Sequence, residues 1–111
     1  ADSAELGLAQ EAVSVVRVDE TVRMYVVGLA QATRENAGLS LGASPRAGMA
    51  LYKATQAWAA IDGRDFATPD DVKALVHEVF RHRILLTYEA LADGWNTDRV
   101  IDSILEKVEV P

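Results

Sequence analysis

The chain has 111 residues, 50% of them hydrophobic and 25% charged, proportions that fit one folded, water-exposed domain and argue against a disordered or fibrous chain. A formal charge of -6 works against general binding to DNA or RNA, because phosphate neutralisation needs clustered Lys and Arg. There is no cysteine, which removes disulfides and thiolate metal sites, and no apolar run approaches the roughly 20 residues that cross a bilayer. No signal peptide is visible, so residues 1–111 are read as one domain with the cytoplasm as default compartment.

Apolar residues recur at helical spacing in five stretches, with no internal repeat, so the expected fold is all-α, a small bundle of about five helices. The first helix is expected to open near Ser3 and to place Leu6, Ala9, Val13 and Val16 on one face, followed by an extended link at Val16-Arg17-Val18. Asp19 can cap the second, whose buried stripe is Val22, Val26, Leu29, Ala30 and Thr33. Ser44 caps the third and Pro45 takes its first position, where a missing N–H costs nothing. Its expected stripe is Ala47, Leu51, Ala54, Trp58 and Ile61, which puts Trp58 inside.

Asp62-Gly63-Arg64-Asp65 is turn chemistry. Thr68-Pro69-Asp70-Asp71 then supplies a cap, a first-position Pro and two acids that favour a helix N-terminus, ahead of Val72, Leu75, Val76, Val79 and Phe80. From Arg81 to Trp95 the period weakens, and residues 82–95 are expected to be irregular or briefly extended, with Trp95 exposed. Asn96 can cap a last helix with Val100, Ile101, Ile104, Leu105 and Val108 inside.

The segment Leu41-Gly42-Ala43-Ser44-Pro45-Arg46-Ala47 places an arginine in the first turn of a helix, where the macrodipole disfavours a cation by a few tenths to about 1 kcal/mol unless an anion comes to meet it. Arg46 with the free first-turn amides therefore reads as an anion site, since guanidinium suits bidentate phosphate contact. By itself, a solvated surface arginine explains the same pattern. His77 and His82 lack i, i+4 spacing, so no metal site is expected. No serine is tied to a base and an acid, which leaves free-standing catalysis without support. Cations at Arg81-His82-Arg83 are favoured at a helix C-terminus.

Gly42-Ala43-Ser44-Pro45-Arg46-Ala47, then Gly63-Arg64-Asp65-Phe66 leading into Thr68-Pro69-Asp70-Asp71-Val72, then Arg81-His82-Arg83-Ile84, resemble in order and spacing the C-terminal lid of MoxR-family AAA+ ATPases. Tyr25-Val26-Val27, Ala32-Thr33-Arg34 and Val108-Glu109-Val110-Pro111 are similar too, so the resemblance covers nearly the whole chain. It implies that Arg46 is the sensor-2 arginine, reaching the phosphates of ATP on an adjacent core domain with Ser44 and Pro45 as geometric support. It also implies ATP with magnesium in the parent protein, contact with that core and with neighbouring subunits of a ring, a chaperone-like role in maturing other proteins, and von Willebrand A domain partners.

The chain contains no Gly-x-x-x-x-Gly-Lys-Ser/Thr loop, so it is expected to bind no nucleotide tightly and to catalyse nothing alone. Gly63-Arg64-Asp65 is read as a structural turn, with subunit contact as its functional alternative. Two other readings stay open: a stand-alone helical protein-interaction module, and the lid of a magnesium-chelatase-type AAA+ subunit.

Overall fold

The computed structural model describes residues 16–111; the helix expected from Ser3 lies outside the described residues. Among them, five helices and one small sheet occur. Helix α1 (Glu20–Glu35) starts where Asp19 accepts a hydrogen bond from the Val22 amide, and it buries Val22, Tyr25, Val26, Leu29, Ala30 and Thr33. The expected stripe is therefore correct, with Tyr25 added to it.

Helix α2 (Pro45–Ile61) is capped by Ser44. Its buried face is Ala47, Leu51, Thr55 and Ala59 rather than the stripe expected through Trp58 and Ile61. Trp58 is 46% and Ile61 81% exposed, and both expectations are corrected. The physical reason is Thr55, whose hydroxyl donates to the Leu51 carbonyl at 2.8 Å. A back-bonded threonine buries without an orphan donor, so the inner row runs in steps of four from Ala47 through Leu51 and Thr55 to Ala59, and the large aromatic is turned outward.

Helix α3 (Pro69–Phe80) opens with a reciprocal cap: Thr68 Oγ1 accepts from the Asp71 amide, and the Asp71 carboxylate accepts from the Thr68 amide at 2.7 Å. It packs against α1 and α2, burying Val72, Val76 and Phe80, with Leu75 and Val79 partly covered. The link before α1 is extended as expected: Arg17 forms an isolated parallel bridge to Phe66, donating to the Asp65 carbonyl and accepting from the Ala67 amide.

The stretch from Arg81 to Trp95 is more ordered than its sequence suggests. Strand β2 (Leu85–Leu86) pairs antiparallel with β1 (Leu39–Leu41), a strand that periodicity does not reveal. Thr87 then caps a short helix α4 (Tyr88–Ala92). Helix α5 (Thr97–Lys107), capped by Asn96, buries Val100, Ile101 and Ile104 against α1 and α3. The core is one cluster centred on Tyr25, Leu29, Leu51, Phe80 and Ile101, each large aliphatic or aromatic side chain contributing on the order of 1.5–3 kcal/mol by burial. Among the described residues no helix is long and apolar enough to cross a membrane.

Candidate functional site

The α1–α2 connection holds the start of α2 by two devices. Thr33, buried near the end of α1, donates its hydroxyl to the Ala30 carbonyl at 2.6 Å and accepts from the Ala43 amide at 2.8 Å. Gly42 meanwhile lies directly on α1: a Cβ there would sit 2.6 Å from Arg34 Cα and 2.7 Å from the Arg34 nitrogen. Real side chains do not approach backbone so closely, so only glycine lets the loop pass at this depth. Ala43 behind it is fully buried.

From this fixed point the chain turns into α2, and Ser44, Pro45 and Arg46 are all exposed. Ser44 Oγ accepts from the Ala47 amide at 3.1 Å, and the Ser44 carbonyl accepts from the Gly48 amide at 3.1 Å. Pro45 has no N–H. Of the first-turn amides, that of Arg46 alone is without a partner among the described residues. The expectation of several free amides is corrected: the cap uses one and the proline removes another, so of the groups expected to meet an anion the Arg46 amide and guanidinium remain. Arg46 belongs to none of the ion pairs among the described residues.

Beside this turn runs a groove of about 460 Å³ between α1 and α2, whose lining includes Arg23, Val27, Arg34, Pro45, Met49 and Tyr52. Pro45 belongs both to the groove and to the Arg46 turn. Arg23 pairs with Glu20 at 2.6 Å on the exposed face of α1.

Arg64 has a different task. Its guanidinium donates to both carboxylate oxygens of Asp71, at 2.6 and 2.9 Å, to Asp62 at 2.8 Å and to the Phe66 carbonyl at 3.1 Å. The Arg64 hydrogen bonds are the main reason the Asp71 carboxyl is held below the usual carboxylate range, with burial opposing them. Gly63 takes φ 77°, so the turn lets α2 end and Arg64 fold back onto the cap of α3. This is the structural role expected of the turn.

Farther along, His77 meets Asp102 at 2.7 Å, and Arg81 meets Asp98 at 3.1 Å. Both tie α3 to α5, contacts that the helix-end explanation of Arg81-His82-Arg83 does not contain. Trp95 is 37% exposed, with Arg99 stacked 4.6 Å from its ring centre. The positioning residues that residue typing misses are Thr33 and Gly42. Each has a weak trace in the sequence: a threonine in an apolar stripe, and a glycine two residues before a cap.

Short capped helices packed around one core, with an arginine exposed at a fixed helix start, define a small helical domain. The AAA lid domain family model matches residues 31–104, and the chain belongs to that family. It is 37% identical over 102 residues to the uncharacterised protein YeaC of Bacillus subtilis, a match covering 92% of the chain and 32% of YeaC. It is 38% identical over 96 residues to the chaperone MoxR1 of Mycobacterium tuberculosis, covering 78% of the chain and 26% of MoxR1. With the MoxR protein of Paracoccus denitrificans it shares 32% over 120 residues, covering 95% of the chain and 35% of that protein.

The crystal structure of a candidate ATPase from Cytophaga hutchinsonii superposes with a TM-score of 0.84 at 32% identity, over 91% of this chain and 33% of the other. These findings agree with a MoxR-type AAA+ lid. The chain spans about a third of the length of the curated relatives it matches.

Proposed function

We propose that this chain is the lid of a MoxR-type AAA+ ATPase and that it brings Arg46 to the phosphates of ATP held on the nucleotide-binding core. The observation that supports this most is the placement of Arg46: an exposed cation in the first turn of α2, outside every ion pair among the described residues, on a start pinned by Thr33 and Gly42. A guanidinium held there lowers the energy of charge building on a transferring phosphoryl group without reorganising first. Ser44 fixes the turn and Pro45 presets its backbone.

ATP with magnesium supplies the reacting phosphoryl group when bound on the core. This chain's part is to bind, orient and sense. A guanidinium that meets the terminal phosphate of ATP loses that contact in ADP, so the lid moves as a rigid body between two positions. In a ring, such movement reaches neighbouring subunits and, through them, the client proteins of a chaperone-like machine, with von Willebrand A domain proteins as partners. Alone, the chain turns over no ATP, because its sequence lacks the phosphate-cradling loop.

Steady-state ATP turnover by the full-length protein tests this. Arg46→Ala lowers kcat by about a hundredfold, as loss of a transition-state donor does elsewhere, and turnover within twofold of the unsubstituted protein would contradict the proposal.

A further inference from the structure

The two arginines of Arg81-His82-Arg83 are used differently. Arg81 is held by Asp98 at 3.1 Å and by Glu78 at 3.7 Å. Arg83 is exposed and belongs to none of the ion pairs among the described residues. Its guanidinium also makes none of the arginine side-chain hydrogen bonds found there. The macrodipole of α3 does not account for it. That helix ends at Phe80 and its favourable field for cations falls off within the last turn, whereas Arg83 stands three residues past it.

Strand pairing decides where Arg83 stands. Leu41 lies opposite Leu85 in the antiparallel register of β1 and β2. In such a pair the chain leaving one strand and the chain entering the other lie at the same end of the sheet. Leaving β1 are Gly42, Ala43 and the turn that carries Arg46, and entering β2 are Arg83 and Ile84. Both stretches are anchored. Ile84 is 2% exposed and Ala43 fully buried, with the Ala43 amide bonded to Thr33. Arg46 and Arg83 thus stand on two fixed pieces of backbone at one end of the sheet. The chain has 17 acidic residues against 11 basic ones, yet no described carboxylate pairs with either arginine.

We propose that Arg83 is a second phosphate contact at the Arg46 site, the two guanidiniums gripping the terminal phosphate of ATP together. Guanidinium suits this task because its fork of donors matches phosphate oxygens, and the oxygens of a transferring phosphoryl group accept from more than one donor as charge builds on them. Two cations without counterions at one place repel each other until an anion comes between them, which favours a multiply charged ligand. The inference rests on the reading of Arg46 given above. It adds a residue from the far side of the bundle, so that one phosphate engages the start of α2 and the segment after α3 at once. ADP lacks the phosphate that both arginines need, which sharpens the distinction between the two nucleotides.

Calorimetric titration of the full-length protein with a nonhydrolysable ATP analogue and with ADP tests this, using Arg83→Gln, Arg83→Lys, Arg46→Ala and the double variant of Arg83→Gln with Arg46→Ala. Arg83→Gln weakens the analogue by about tenfold, the loss of a charge-assisted hydrogen bond, and leaves ADP nearly unchanged. Arg83→Lys recovers part of the loss, because it keeps the charge without the fork. The double variant loses less than the product of the two single factors, since residues that share one partner are not independent. Unchanged analogue affinity in Arg83→Gln overturns the proposal, and so does equal loss for both nucleotides. A double variant weakened by the full product overturns it as well. Thermal unfolding of Arg83→Gln stays at the value of the unsubstituted protein, as for other exposed side chains; a clear fall assigns Arg83 to the fold and contradicts the proposal.

The outcome is separable from that of Arg46. If Arg46→Ala weakens the analogue and Arg83→Gln does not, only the assignment of Arg83 fails. If Arg83→Gln weakens it and Arg46→Ala does not, the reading of Arg46 fails and the shared grip fails with it.

Discussion

The Ala43 amide donates to Thr33 Oγ1 at 2.8 Å, with both residues buried, and this bond joins the end of α1 to the entry of α2. Thr33→Val keeps the side-chain shape and removes the acceptor. A buried amide left unpaired costs about 1–3 kcal/mol, which lowers Tm by roughly 4–8 °C per kcal/mol in a domain of this size. Thr33→Ser keeps most of that stability. Thermal unfolding by circular dichroism checks both, and an unchanged Tm for Thr33→Val contradicts the anchor.

Glycines in this fold respond in opposite senses. Gly42→Ala forces a methyl group into the Arg34 backbone, so the entry loop must lift and stability falls by an overpacking cost of about 1–3 kcal/mol. Gly28, inside α1, has only Val108 Cγ1 at 3.6 Å beside its missing Cβ. Gly28→Ala therefore raises stability by roughly 0.5–1 kcal/mol through helix propensity. Urea unfolding of the two variants should give midpoints on either side of the unsubstituted protein.

The tie between Arg64 and Asp71 makes stability depend on acid. Because the folded carboxyl titrates below its ordinary value, its contribution is full above the unfolded pKa of about 4 and disappears as pH falls through the folded value. Asp71→Asn lacks that contribution at any pH. Urea midpoints of Asp71→Asn and the unsubstituted protein should differ clearly at neutral pH and converge well below pH 4. A constant gap across that range contradicts the assignment.

Tyr25 is buried with its hydroxyl unpartnered among the described residues, and burial, aided by nearby Asp70, raises its pKa. Removing an unsatisfied buried hydroxyl relieves a desolvation cost, so Tyr25→Phe is neutral or stabilising by up to about 1–2 kcal/mol. A fall in Tm on that substitution shows that the hydroxyl has a partner.

Legibility in the sequence follows the range of the forces involved. Caps are local, and Asp19, Ser44, Thr68 and Asn96 all stand where side-chain oxygens beside helical periods place them. The inner faces of α1, α3 and α5 follow for the same reason. Facing residues on α2 do not, because Trp58 looks like core and Thr55 looks like surface until the Thr55 back-bond is seen. Strands β1 and β2 are three and two residues long, too short for any period, and are fixed only by meeting each other. At the candidate site, Arg46 is legible because a cation at a helix start violates a local preference. Thr33 and Gly42 are not, since their roles exist only once the loop crosses α1.

The measurement that tests the central claim most directly is the affinity of the full-length protein for ADP and for a nonhydrolysable ATP analogue, with and without Arg46→Ala. If Arg46 meets the terminal phosphate, the substitution weakens the ATP analogue by about tenfold or more, the loss of a charge-assisted hydrogen bond, and leaves ADP nearly unchanged. Equal affinities before and after substitution, or equal loss for both nucleotides, would contradict the assignment of Arg46 to that phosphate.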